Sequence, residues 1–141
     1  MSDPFDLDRF VEAQRRTYAA ALAELRRGRK TSHWMWFIFP QIAGLGMSPM
    51  ARRYAISGLA EARAYLRHPV LGPRLVESTQ AVNQVAGRSA LEIFGHPDDL
   101  KFKSSLTLFA NAAPDNRVFA AALARYFDGQ GDPLTLAKLG S

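Results

Sequence analysis

The sequence contains no cysteine, which excludes disulfide bonds, thiolate catalysis and zinc sites built from cysteine. Its three histidines, His33, His68 and His96, have no close spacing, so we predict no bound metal. The glycines at 44–46 are not followed by a dinucleotide-binding or P-loop motif, so we predict no cofactor. No apolar run approaches the roughly 20 residues that span a membrane, and residues 1–6 are acidic where a signal peptide is basic. We therefore expect a cytoplasmic protein that does not enter the membrane.

Helical start and stop signals recur along the chain and predict an all-α fold. Prolines and capping residues precede the periodic segments, among them Ser48-Pro49 and the capping-box pattern of Ser89 and Glu92. Glycines follow the segments, and no alternating apolar pattern typical of strands repeats. The first helix is predicted to run unbroken from a cap at Phe5-Asp6 to a stop at Gly28, and residues 33–39 form a short buried helix. With 141 residues, we expect one domain over residues 1–141, a compact bundle of about seven or eight short-to-medium helices.

The net charge of +5 is concentrated in the first half of the chain. Residues 1–74 contain 12 Lys and Arg against 6 Asp and Glu, and the densest cluster is residues 26–30, Arg-Arg-Gly-Arg-Lys. Such a cluster can recruit an anion or a nucleic acid. It can equally be a solvated helix face with cations that offset the dipole of a helix C-terminus.

Aromatic residues are concentrated in residues 33–41, His-Trp-Met-Trp-Phe-Ile-Phe-Pro-Gln, which we call the aromatic block. Rings of this size bury on the order of 150–250 Å² each, so the block predicts the centre of the core. We expect one tryptophan to be core, whereas the other is either core as well or a stacking platform for a base or sugar. His33 is either a general acid or base or a residue at a helix start.

The polar edge of this block and the predicted helix at 98–107 suggest a ligand-binding cleft between them. Lysines and small hydroxyls suit a phosphate-bearing ligand, and amide and phenol groups suit a small polar one. Adjacent Asp98 and Asp99 are either paired carboxylates or charges that compensate a helix N-terminus. We assign no catalytic residue. The ten candidate ligand-binding residues are His33, Trp34, Trp36, Gln41, Arg53, Tyr54, Asp98, Lys101, Ser104 and Ser105.

Several blocks of the sequence together resemble one protein family. The most specific are His33-Trp34-Met35-Trp36-Phe37 and Lys101-Phe102-x-Ser104-Ser105-x-Thr107-Leu108-Phe109, with Arg9-Phe10, Tyr54-Ala55-Ile56 and Ile93-Phe94-Gly95 in addition. The chain resembles the mostly bacterial domain-of-unknown-function family 1810, sometimes mislabelled calpastatin. The resemblance implies a compact, mainly helical fold and no established reaction, so it supplies no catalytic residue.

Three hypotheses about function follow, in decreasing order of preference. The first is a domain that binds a small anionic ligand of the nucleotide or sugar-phosphate type, with the question of catalysis left open. The second is an interaction module or homodimer without chemistry, which requires an exposed apolar surface. The third is weak nucleic-acid binding through the basic N-terminal half. It ranks last because a solvated helix face and compensation of a helix dipole are enough to explain the charge.

Overall fold

The structure, a computed structural model, describes residues 3–140 and confirms the all-α fold. This part of the chain forms ten α-helices, seven of which have seven or more residues. They are α1 (Asp8–Gln14), α2 (Tyr18–Arg26), α3 (Met35–Ile38), α4 (Pro49–Arg53), α5 (Leu59–Arg67), α6 (Leu71–Asn83), α7 (Ala90–Phe94), α8 (Asp98–Ala112), α9 (Arg117–Phe127) and α10 (Pro133–Gly140).

The first predicted helix is in fact two helices, α1 and α2. Over residues 15–17 the backbone hydrogen bonds span three residues instead of four. The Arg15 N–H donates to the Glu12 carbonyl, and the Thr17 N–H donates to the Gln14 carbonyl. The buried side chain of Gln14 donates to the Phe37 carbonyl at 2.8 Å. Because this long-range bond fixes the end of α1, the chain turns there although the apolar period continues. The predicted stop at Gly28 is present, with φ at +75°.

Helix α8 is the centre of the core. Phe102, Leu106 and Phe109 are completely or almost completely buried, and α8 packs against α5, α7, α9 and α10. Its small hydroxyls bond back one turn, Ser104 to the Leu100 carbonyl and Thr107 to the Lys103 carbonyl. These bonds satisfy the polar groups of a helix that is buried on most sides.

The aromatic block packs on α8 through Phe39, whose ring lies 5.0 Å from the Phe102 ring. Only Met35–Ile38 within it is helical, and the backbone amides of Thr31 and Ser32 before it donate to the Glu24 carboxylate. After Pro40 the chain runs alongside residue 56: Ile56 N–H donates to the Gln41 carbonyl at 2.9 Å. Gln41 is thereby held beside the connection between α4 and α5.

Two predicted helix caps are present. Ser48 accepts a hydrogen bond from Ala51 N–H at the start of α4, and Ser89 and Glu92 form a reciprocal capping box at the start of α7. Among residues 3–140, no helix combines the length and the apolar character that crossing a membrane would require.

Candidate functional site

A groove of about 360 Å³ lies where the turn after the aromatic block meets the first half of α8 and the start of α10. We call it the α8 groove. Three of the ten candidate residues, Gln41, Lys101 and Ser104, lie in its wall. The complete lining is Gln41, Leu45, Gly46, Pro97, Leu100, Lys101, Ser104, Asp132 and Leu134.

Helix α8 presents Lys101 and Ser104 on one face because they are three residues apart. Lys101 Nζ lies 3.5 Å from a carboxylate oxygen of Asp98 and 5.7 Å from the centre of the Trp36 ring. The Ser104 hydroxyl donates to the Leu100 carbonyl at 3.1 Å, which leaves its oxygen lone pairs to accept. The groove therefore contains one cation and one accepting hydroxyl from a rigid helix.

Asp98 is an ion-pair partner in this structure rather than half of a carboxylate pair. Its carboxylate lies 2.8 Å from Lys30 Nζ as well as 3.5 Å from Lys101 Nζ. The neighbouring Asp99 contacts His96 instead, at 3.1 Å, because adjacent residues of a helix diverge. Asp98 thus joins the basic cluster of residues 26–30 to α8.

The ion pair with Asp98 sets Lys30 apart from the exposed arginines of the basic cluster. The side chain of Lys30 is only 7% exposed and lies over the Trp34 ring, whereas Arg27 and Arg29 are exposed. Arg26 lies 3.8 Å from Glu77. Because Arg26 and Lys30 face carboxylates of the same chain, the cluster does not present four unpaired cations.

Trp36 and Tyr54 lie on the other side of Gln41, in a cleft of about 10 Å³ that Gln41 and Gly46 also line. A cleft of this size has room for about one water molecule. The Tyr54 ring packs against Phe10 at 5.6 Å and Phe37 at 5.4 Å, which closes the cleft. Trp36 is half-buried, and the Lys101 ammonium group lies over its ring. Trp36 thus contributes to the α8 groove by holding Lys101 in place.

Trp34 is the core tryptophan, fully buried, with its indole N–H donating to Glu24 at 3.0 Å. Burial of Glu24 opposes its ionisation, but hydrogen bonds from Ser32, Thr31 and Trp34 outweigh burial and hold its pKa at about 2. This ionised carboxylate organises the start of the aromatic block. Trp34 is therefore not available to stack on a ligand.

Three further candidates lie away from the α8 groove. Ser105 is buried on α8, only one residue from Ser104 but turned about 100° around the helix. His33 and Arg53 are exposed, and Arg53 lies over the Tyr54 ring at 5.6 Å. None of the three belongs to the groove lining.

Sequence patterns do not predict the groove residues at the start of α10, Asp132 and Leu134. Asp132 N–H donates to the Thr107 hydroxyl at 2.9 Å, which docks the start of α10 on α8. The Asp132 carboxylate accepts hydrogen bonds from the backbone amide and hydroxyl of Thr135 at 2.9 and 2.7 Å. The sequence signal for this arrangement is the Asp-Pro helix start at 132–133. This signal predicts the cap of α10 but not that α10 docks on α8.

Fold and groove together define an all-α protein with one hydrophobic core and a small, mixed polar and apolar groove at the N-terminal half of its central helix. The family model "Protein of unknown function (DUF1810)" matches residues 4–139. The chain belongs to this family, which confirms the resemblance.

A solved structure supports the same relationship. The crystal structure of the conserved hypothetical protein Rv1873 from Mycobacterium tuberculosis is similar to this chain over 99% of both chains, with 60% sequence identity and a TM-score of 0.97. A comparison with curated proteins finds no match. The family and the structure thus establish the fold and leave the function unknown.

Proposed function

We propose that the α8 groove binds a small anionic molecule with an apolar portion, of the nucleotide or sugar-phosphate type. The observation that carries the proposal is that Lys101 lines the same groove as two exposed leucines, Leu100 and Leu134, which are 50% and 65% exposed. Exposed leucines beside a held ammonium group suit a ligand with an apolar face and an anionic end.

The size and the polar groups of the groove agree with this ligand class. A volume of about 360 Å³ falls in the range of small-molecule sites. Lys101 supplies the positive charge, and its ion pair with Asp98 is long enough, at 3.5 Å, to exchange for a ligand oxygen. The Gln41 amide can donate to or accept from ligand hydroxyl groups, whereas the Ser104 oxygen and the Asp132 carboxylate can only accept from them.

Binding, rather than catalysis, is the function that these groups support. The Ser104 hydroxyl proton is engaged by the Leu100 carbonyl, and the Asp132 carboxylate is occupied by Thr135. A nucleophile needs an adjacent base that accepts its proton. In the described part of the chain, Ser104 donates to a backbone carbonyl instead.

The test is calorimetric titration with nucleotides and sugar phosphates, preceded by a thermal-shift screen of the same compounds. Lys101→Gln is expected to weaken binding about tenfold or more, because a hydrogen bond to a charged group contributes about 1.5–3 kcal/mol. Lys103→Gln is the matched control: it makes the same change of charge on the same helix, but Lys103 lies over the Phe127 ring, outside the groove.

Two results would overturn the proposal. One is that no nucleotide and no sugar phosphate produces a thermal shift or a measurable heat of binding. The other is a bound compound whose affinity falls equally in Lys101→Gln and Lys103→Gln, which would indicate general attraction to positive charge.

A homodimer is the second candidate function, because the rim of the α8 groove is apolar. Leu100 and Leu134 lie at this rim, and Met47, one residue beyond Gly46, is 70% exposed. Sedimentation equilibrium would show a dimer that Leu134→Glu dissociates. A monomer at all concentrations would exclude this candidate.

We also propose that residues 1–141 form one domain that acts in the cytoplasm. The buried apolar residues from Leu7 to Leu123 belong to one cluster, which supports a single domain, and the cysteine-free composition is compatible with a reducing compartment. Cell fractionation would test the location. Nucleic-acid binding has less support, since Lys30 and Arg26 in the basic cluster face acidic side chains.

A further inference from the structure

A second groove, of about 510 Å³, lies between α5 and the C-terminal end of α8, and two arginines project from α5 into its wall. Arg63 and Arg67 are four residues apart, so their side chains lie on the same face of α5. We call this the arginine groove. Its lining is Arg63, Leu66, Arg67, Asn111, Ala112, Ala113 and Pro114.

Neither arginine has an acidic partner among residues 3–140. Arg9, Arg15 and Arg117 each lie within 3 Å of a carboxylate oxygen, whereas no ion pair of the described chain includes Arg63 or Arg67. Two like charges at this spacing repel each other and destabilise a helix slightly. Both side chains are exposed, so their guanidinium groups can reach a ligand in the groove.

The helix dipole explains the position of only one of the two arginines, Arg67. Arg67 is in the last turn of α5, where a cation offsets the partial negative charge of the C-terminus. Arg63 lies one turn earlier, beyond the range of that effect, and has the same unpaired charge. A bound anion would give both arginines a partner.

The remaining lining suits a small organic ligand. Leu66, Ala112, Ala113 and Pro114 form an apolar surface beside the two guanidinium groups, and the Asn111 amide adds a polar group. The Asn111 side-chain nitrogen donates to the Thr107 carbonyl at 2.7 Å, which holds the amide in place. The acid that follows the groove in sequence, Asp115, is neutralised by Arg117 at 2.7 Å.

We propose that the arginine groove binds a phosphate-bearing small molecule, with Arg63 and Arg67 holding its phosphate or pyrophosphate group. Guanidinium groups donate in a planar fork that matches phosphate oxygens. This site is independent of the α8 groove. From Lys101 to Ala112 there are 11 steps along α8, about 16 Å at a rise of about 1.5 Å per residue.

Isothermal titration with inorganic pyrophosphate, inorganic phosphate and succinate tests the site. The wild type is expected to bind pyrophosphate more tightly than succinate, and Arg63→Gln and Arg67→Gln are each expected to raise Kd about tenfold. The double variant is expected to show no measurable binding. Because both side chains are exposed, unchanged melting temperatures of the free variants should accompany these losses.

Two control variants distinguish binding in the arginine groove from general attraction to positive charge and from binding in the α8 groove. Arg16→Gln makes the same change of charge at an exposed position outside the groove and should leave Kd within a factor of about two. Lys101→Gln should also leave it unchanged. The proposal is overturned if the wild type does not bind pyrophosphate at millimolar concentration, if Arg16→Gln weakens binding as much as Arg63→Gln, or if only Lys101→Gln abolishes binding. The last result would place the anion in the α8 groove.

Discussion

Arg9 is the side chain whose replacement should reduce stability most clearly. Its guanidinium group has five N–H bonds, and each has an acceptor in the folded chain. The Arg9 side chain is 14% exposed and that of Glu61 is 4% exposed, so the ion pair between them is largely shielded from water. The acceptors, at 2.6–2.9 Å, are the carbonyl oxygens of Phe5, Asp6, Arg53 and Ala55 and one carboxylate oxygen of Glu61.

The perturbation is Arg9→Met, which keeps the aliphatic length and removes the charge and all five donors. The Glu61 carboxylate then keeps the Ser57 amide and hydroxyl as donors but loses its cation. Removing one partner of a buried ion pair costs about 3–5 kcal/mol. Arg9→Lys keeps the charge but has only three donors, so the loss of at least two hydrogen bonds should cost about 2 kcal/mol.

Urea denaturation followed by circular dichroism measures these changes. With a slope of roughly 2 kcal/mol per molar urea for a chain of this size, Arg9→Met should lower the midpoint by roughly 1.5–2.5 M. The control is Arg15→Met, whose ion pair with Glu12 is exposed, 63% for the arginine, so that its loss should leave the urea midpoint almost unchanged. Equal losses in Arg9→Met and Arg15→Met would refute the reasoning.

Two other perturbations test the packing and the electrostatics. The pKa of Glu24, held at about 2 against an ordinary 4.5, implies about 3 kcal/mol of stability that is present above pH 4.5 and lost as the pH falls toward 2. Glu24→Gln should therefore flatten the acid limb of the stability curve, and an unchanged limb would contradict the assignment. Gly72→Ala should cost about 3 kcal/mol despite the helix preference for alanine, because a Cβ there would lie 2.1 Å from the Leu66 carbonyl oxygen. Gly58→Ala, with open space around the added methyl group, should change the free energy of unfolding by less than about 1 kcal/mol in the same assay.

The candidate site shows where prediction from sequence stops. Lys101 and Ser104 could be assigned to one face because their spacing along α8 decides it. Trp34 and Trp36 could not be distinguished, because either ring can be core until the partner of each is known. Glu24, ten residues before Trp34, supplies the acceptor that draws this indole inside.

The helical class of this protein follows from local sequence signals alone. Prolines, capping residues and glycines act within a few residues of where they stand, so Ser48, the Ser89 and Glu92 pair, and Gly28 performed the same roles in the folded chain. Tertiary structure decided where α1 ends, because the bond from Gln14 to the Phe37 carbonyl joins residues far apart in sequence.

Tertiary structure also decided the composition of both grooves. The α8 groove requires residues near 41, 101 and 132 to meet, and the arginine groove requires α5 to lie beside the end of α8. These contacts depend on which faces pack together, on hydrogen bonds such as that from Asp132 to Thr107, and on the ring contact between Phe39 and Phe102. Local periodicity identifies the apolar face of a helix, but the packing of the whole core determines which other element covers that face.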